Sequence, residues 1–428
     1  MNVFLKTVVE RLVRTGNLTV TGPDGTSHSF GDGSGDPVHL VIRTGHAERA
    51  ITLHPTLALP EAFMDEELDF VEGDVLGLLH LVYRNMGPYG SIDASWTKAA
   101  DAVRLAVRRL QQVNTIGRSR KNVAHHYDLS GELYRLFLDD DMQYSCAYFE
   151  RPDMTLDEAQ LAKKRHIASK LKLKPGQNVL DIGSGWGGLG LYLAKCFDAD
   201  VLGVTLSTEQ HAVSTERVRQ EELEGHVHFE LRDYRDLSER FDRIVSVGMF
   251  EHVGVNFYRA YFEKAATLLK PDGVMVLHSI GRSGPPSATN PFIRKHIFPG
   301  GYIPALSEVL PAIEKAGLMV TDVEILRLHY AETLKHWRQR FLANRERAKA
   351  IYDERFCRMW EFYLAGAEAA FRWQDLMVFQ IQLAHRNDTL PLTRDYIGKC
   401  EKALAIHEAA HETAPPPAPA RKRRKVSE

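Results

Sequence analysis

Cysteine is scarce in this chain: Cys146, Cys196, Cys357 and Cys400 are the four among 428 residues. They are widely separated, make no paired metal-ligand spacing and carry no sign of a disulfide framework, so a reducing cytosol is expected. Long hydrophobic runs are missing as well. No segment is apolar enough to span a bilayer, and Lys6, Glu10, Arg11 and Arg14 break up the apolar residues at the N-terminus, which argues against a secretory signal. Nor is there an excess of one charge. The 54 basic and 56 acidic residues leave a formal net charge of -2, which speaks against a general nucleic-acid-binding surface. No internal repeat is evident. What remains is the composition of a soluble enzyme with room for one large domain and a smaller one.

The most informative segment is Val179-Leu180-Asp181-Ile182-Gly183-Ser184-Gly185-Trp186-Gly187-Gly188. An apolar run that breaks into closely spaced glycines is how a parallel strand turns under an adenosine cofactor, because glycine lets backbone amides approach a ligand without a Cβ in the way. The segment points to an S-adenosylmethionine site; a tight strand-to-helix turn that binds nothing is the alternative. Around it, candidate strands at 178–183, 200–206, 227–232, 243–249 and 273–279 alternate with helices at 208–223 and 258–270, and 318–328 supplies one or two more strands. This alternation predicts an α/β domain with a doubly wound, Rossmann-like sheet. After Thr333 the chain reads as helical and aromatic-rich through Trp373.

The flanks differ. Residues 3–14 have helical spacing, 16–53 read as short strands between Gly, Asp and Pro turns, and 76–83 reads as a helix, which together suggest a small N-terminal α+β domain over 1–95. Residues 96–121 carry Lys98, Arg104, Arg108, Arg109, Arg118, Arg120 and Lys121 and read as a basic helical connector. The large domain then spans 122–410. Residues 411–428 are Pro/Ala-rich and then basic, and are expected to be disordered.

At the end of the second strand of the large domain, Thr205-Leu206-Ser207 and Gln210 stand where many nucleotide-binding enzymes place an acid for the ribose, which makes a dehydrogenase the poorer reading. Asp233-Tyr234 follows the third strand, either near an adenine or in a surface turn. Glu251 beside His252 fits a helix-start carboxylate and a capping histidine as well as a site; His278 fits a satisfied core histidine and Tyr330 a packing aromatic.

Read together, Gln143-Tyr144-Ser145-Cys146-Ala147-Tyr148-Phe149, Ser246 to Gly254, Asp233 to Leu237, Leu277 to Gly281 and His329 to Leu334 closely resemble the bacterial cyclopropane-fatty-acyl-phospholipid synthases and the related mycolic acid cyclopropane synthases. The resemblance runs from about Asn122 to Arg386 and implies a methyltransferase that uses S-adenosylmethionine to convert the cis double bond of an unsaturated phospholipid acyl chain into a cyclopropane. It implies a bound bicarbonate base held by the side chains of Glu251, His278 and Tyr330 and the backbone amides of Cys146 and Ile280. For the cofactor it implies Tyr144 and Ser145 at the methionine end, Gly183, Gly185 and Gly187 in the loop, Thr205, Leu206 and Gln210 at the ribose, and Asp233 and Tyr234 at the adenine. A homodimer docked peripherally on the inner membrane surface is the further expectation; no metal and no nucleic acid are. Ser184 departs from the cysteine common in the family's loop. A methyl-branched product and a small-molecule N-methyltransferase are the alternatives.

Overall fold

The computed structural model describes residues 1–90 and 130–412; the basic connector and the basic tail lie outside them. The N-terminal unit opens with α1 (Val3–Leu12), whose Asn2 cap accepts from the Leu5 amide, and continues through β1 (Asn17–Thr21), β2 (Ser27–Phe30) and β3 (Pro37–Ile42). The β1–β2 hairpin closes through Gly22-Pro23-Asp24-Gly25, where Gly25 N–H donates to the Gly22 carbonyl at 3.0 Å. From here the expected run of strands fails. Residues Gly45–Leu53 form helix α2, because the Thr44 hydroxyl caps the Ala47 amide and Glu48 sits in the first turn. Helix α3 (Pro55–Met64), β4 (Leu68–Glu72) and α4 (Val75–Met86) complete the unit, with sheet order β2-β1-β3-β4.

The larger unit begins with α5 (Gly131–Arg135) and α6 (Leu156–Leu171). Strands β5 (Asn178–Ile182), β6 (Asp200–Thr205), β7 (Val227–Leu231), β8 (Phe241–Val247) and β9 (Leu269–Arg282) are mutually parallel. Helices α7 (Gly188–Phe197), α8 (Thr208–Gln220) and α9 (Tyr258–Leu268) connect them. The full order is β10-β11-β9-β8-β5-β6-β7, where β10 is Met319–Leu326 and β11 is Leu376–Ala384, antiparallel to both its neighbours. Helix α10 (Leu306–Lys315) precedes β10. Between β10 and β11 lie α11 (His329–Ala343), α12 (Arg345–Ile351) and α13 (Glu354–Trp373), and α14 (Asp395–Glu412) follows. Strand β11 and helix α14 extend the fold beyond the elements expected from the pattern. The strand order reverses at β5 and β8, and the crevice outside their C-terminal ends is where such sheets bind ligands.

Helix α13 holds the two units together. The Arg358 guanidinium donates to the carbonyls of Phe63 (2.5 Å) and Leu68 (3.0 Å) and lies 4.0 Å from the centre of the Phe63 ring. Charge-assisted hydrogen bonds of this kind contribute about 1.5–3 kcal/mol each. Arg358→Ala is therefore expected to uncouple the N-terminal unit, and calorimetry should resolve a separate, earlier transition; a single unshifted transition would remove this residue from the interface account.

Candidate active site

The glycine loop after β5 and the ends of β6, β7 and β8 enclose a cavity of about 200 Å³. Tyr144, Ser145, Gly183, Gly185, Thr205, Leu206, Gln210, Asp233 and Tyr234 all line it. Gly187 does not. A Cβ there would lie 2.8 Å from the Phe229 ring, so this glycine lets α7 pack on the sheet and serves the cavity indirectly. At the end of β6, the Thr205 hydroxyl donates to Gln210 Oε1 at 2.8 Å, which leaves the Gln210 amide nitrogen as the donor of the pair. Asp233 is buried and gripped by Arg235, whose Nε (2.8 Å) and Nη2 (2.7 Å) both donate to it. The pairing fixes the carboxylate's orientation and holds Arg235 beside the Tyr234 ring.

Several lining residues escaped the sequence reading, among them Asp181, Gln143, Trp186, Met249 and His252. Asp181 stood inside the quoted glycine motif, and its place at the C-terminal end of a central strand was the available signal. Burial pushes its carboxyl up to about 7, against the attraction of Lys163. A carboxyl that is harder to ionise in the fold than in the unfolded chain lowers stability as pH rises from its ordinary range through about 7. In the ligand-free protein, Asp181→Asn should thus gain stability relative to the parent as pH is raised from about 4 to 7. A pH-independent difference in urea midpoint would contradict the assignment.

Lys163 and Gln160, both on α6, are a second omission. Gln160 Nε2 donates to the carbonyls of Gln143 (3.1 Å) and Ser145 (2.9 Å), while Lys163 Nζ donates to Gln143 Oε1 and to Ser145 Oγ (2.9 Å). Burial pulls the lysine down to about 8. These two side chains fix residues 143–145, which line the cavity. Lys163→Met should leave the Gln143 and Ser145 side chains without this donor and weaken S-adenosylmethionine binding more than Lys163→Arg does, measured by calorimetric titration; equal affinities in both would show that the ammonium does not position the segment.

Glu251, His278, Ile280, Tyr330 and Cys146 line a different and larger space, an elongated cavity of about 1070 Å³ with predominantly apolar walls. Tyr144, Ser145, Gly248 and His252 line both cavities, so the two meet there. Gly248 takes φ 66 at the joint. Glu251 is 8% exposed and follows β8, where it reaches across to the end of β9: the Ile280 amide donates to its Oε1 at 2.6 Å, and its buried Oε2 has no hydrogen-bond partner among the described residues. Burial pushes this carboxyl up to about 7, only partly offset by its hydrogen bonds. The Ile280 amide, expected to bind an anion directly, is thus engaged in anchoring Glu251.

His278 pairs through Nδ1 with Gln380 Nε2 at 3.1 Å, from the neighbouring strand β11. With the amide donating, the imidazole proton is on Nε2, and burial beside Lys163 keeps the ring neutral, well below its ordinary pKa. Tyr330, at the start of α11, stands edge-on to Trp337 and Phe371. Cys146 is 1% exposed, its thiol donates to the Ala147 carbonyl, and burial raises its pKa, so the thiol is suited to packing and not to nucleophilic attack. Among the described residues no group of three acidic, histidine or cysteine side chains is placed to hold a metal ion.

The chain has known relatives. The family model for mycolic acid cyclopropane synthetase matches residues 115–381, and a domain of unknown function matches residues 4–90. The cyclopropane-fatty-acyl-phospholipid synthase of Escherichia coli (strain K12) is 43% identical over 348 residues, covering 81% of this chain and 87% of that one. The solved cyclopropane synthase MmaA2 of Mycobacterium tuberculosis is 37% identical with a TM-score of 0.59, covering 62% of this chain and 98% of its own. Mycolic acid cyclopropane synthase CmaA1, solved with SAH and CTAB, is 38% identical with a TM-score of 0.59, over 62% of this chain and 97% of that one.

Proposed function

The chain belongs to the mycolic acid cyclopropane synthetase family of S-adenosylmethionine-dependent enzymes, and from that premise we propose that it cyclopropanates cis double bonds in the acyl chains of membrane phospholipids. The observation that carries this reading is the joint at Tyr144, Ser145, Gly248 and His252, where a small cavity with polar walls opens onto a long apolar one. A sulfonium donor fits the first and an acyl chain the second. An isolated alkene is a weak nucleophile with no proton to give up, so alignment with the methyl group does much of the activation. An alkene carbon takes the methyl, the carbon–sulfur bond breaks to release S-adenosylhomocysteine, and a carbocation remains on the other alkene carbon. Loss of a proton from the transferred methyl then closes the second carbon–carbon bond. Apolar walls exclude the water that would trap the cation.

The proton must go to a base beside the methyl, and residues of the large cavity near the joint fit a small anion. Glu251 Oε2 is an unpaired buried oxygen, and the neutral His278 carries a proton on Nε2. A carboxyl whose pKa sits near 7 can accept a proton from an anion or donate one to it. Bicarbonate, when bound, would supply the base; Glu251, His278 and the Tyr330 hydroxyl would hold it. In this reading the protein works peripherally on the inner membrane surface. S-adenosylhomocysteine release should be stimulated by vesicles of unsaturated phospholipid and not by fully saturated ones. Equal stimulation by both would refute an alkene substrate.

A further inference from the structure

We infer that the N-terminal unit is the port through which an acyl chain leaves a bilayer, with the first turn of α1 and the α2–α3 junction seated in the lipid interface. The unit's centre is hollow where a small domain would ordinarily be filled. Leu5, Val8, Val9 and Leu12, the inward positions of α1, line the large cavity, and so do Leu40 and Ile42 of the facing sheet. A unit of this size has little apolar burial to spare, so an open centre suits a ligand that completes it. The same space runs on to Glu251 and His278 in the larger unit.

It reaches solvent at the α2–α3 junction, where Leu53, His54 and Thr56 line the cavity and are themselves exposed. Leu53 is 60% exposed. The Asn2 side chain donates to Thr52, a wall of the cavity, at 3.2 Å, which sets the first turn of α1, with Val3 (76% exposed) and Phe4 (73% exposed), beside this opening. Three large apolar side chains thus stand in water around the mouth of an apolar cavity. Charged side chains stand near them: Lys6, paired with Glu10 one turn along α1, exposed Arg49 on α2, and Lys295, paired with Glu61 of α3. Exposed apolar side chains at a helix end, beside an apolar cavity long enough for an acyl chain, are what an interfacial element presents to lipid, so the occupant is a phospholipid bilayer. A soluble protein partner would account for the exposed residues but not for the cavity behind them.

The inference rests on the lipid substrate proposed above, and its test separates the two. Val3 and Phe4 open α1, where aspartates complement the helix dipole, so a Val3→Asp, Phe4→Asp variant should fold normally. Full-length parent and variant are sedimented with vesicles of dioleoyl phosphatidylethanolamine and dioleoyl phosphatidylglycerol, and turnover is measured on those vesicles and on the same lipids in detergent micelles. The variant should lose about tenfold or more in vesicle binding and in vesicle turnover, with micelle turnover unchanged. A variant that binds vesicles like the parent, or a parent that does not bind them, overturns the port. Loss of vesicle binding alongside a parent that modifies no lipid in either form would uphold the docking face and overturn the substrate. A second variant, Val9→Trp, plugs the hollow: vesicle and S-adenosylmethionine binding should persist while turnover fails in vesicles and micelles alike. Undiminished turnover would show that no chain passes through this unit.

Discussion

Gly185→Val is expected to abolish measurable S-adenosylmethionine binding, by about a hundredfold or more, which corresponds to about 2.7 kcal/mol. Gly185 lies in the glycine loop with φ 54, and a Cβ there would meet no protein atom within 4 Å. The space it would enter is the cofactor cavity that the residue lines. Valine therefore adds both a side chain in the ligand's volume and a β-branched residue in the left-handed region, where strain is of order 1–3 kcal/mol. Gly187→Ala supplies the contrast. Its Cβ would press on Phe229 and on Ser214, both at under 3 Å, so it should lower the melting temperature before it touches affinity. Isothermal titration on the two variants separates these outcomes; normal affinity in Gly185→Val would remove the loop from the cofactor site.

Glu251→Gln should leave S-adenosylmethionine affinity intact and reduce kcat by about 10² to 10⁴, the range expected when a positioned proton-transfer group is lost. The side chain lines the large cavity and is not among the walls of the cofactor cavity, so the donor should not sense the change. Glutamine preserves the acceptor for the Ile280 amide but cannot take up or release a proton. Because burial places the Glu251 carboxyl near 7, turnover in the parent should rise with pH through about 7 as the group ionises, and this limb should vanish in the variant. A variant with parental kcat, or one that loses the cofactor, would contradict the role assigned to Glu251.

Much of this was legible before any coordinates. The parallel strands β5 to β9 were visible as apolar runs punctuated by Gly and Pro, because strands buried on both faces need such runs. The glycine loop, Thr205 with Gln210, and Glu251 with His278 stand out through motif order, and the fold brings them to two adjoining cavities. What the pattern concealed was long-range. Strand β11 is buried throughout, yet its Gln380 and Gln382 break the apolar run; Gln380 is there to orient His278 on the adjacent strand. Lys163 and Gln160 belong to none of the motifs, and only the packing of α6 over residues 143–145 makes them positioning groups. The Gly45–Leu53 helix was taken for strand because its polar, Gly-initiated sequence has little helical signature besides the Thr44 cap. The hollow of the N-terminal unit had no local signal: Leu5, Val8, Val9 and Leu12 have the spacing of an ordinary core-facing stripe, and nothing in that spacing tells a filled core from a channel.

The most direct test of the central claim is mass spectrometry of phospholipids recovered from unsaturated vesicles after incubation with the enzyme and methyl-labelled S-adenosylmethionine. The account predicts acyl chains heavier by one labelled methylene in which the double bond has been replaced by a cyclopropane ring. A labelled chain that keeps an alkene beside a methyl branch would contradict ring closure, and unlabelled lipid would contradict a lipid substrate.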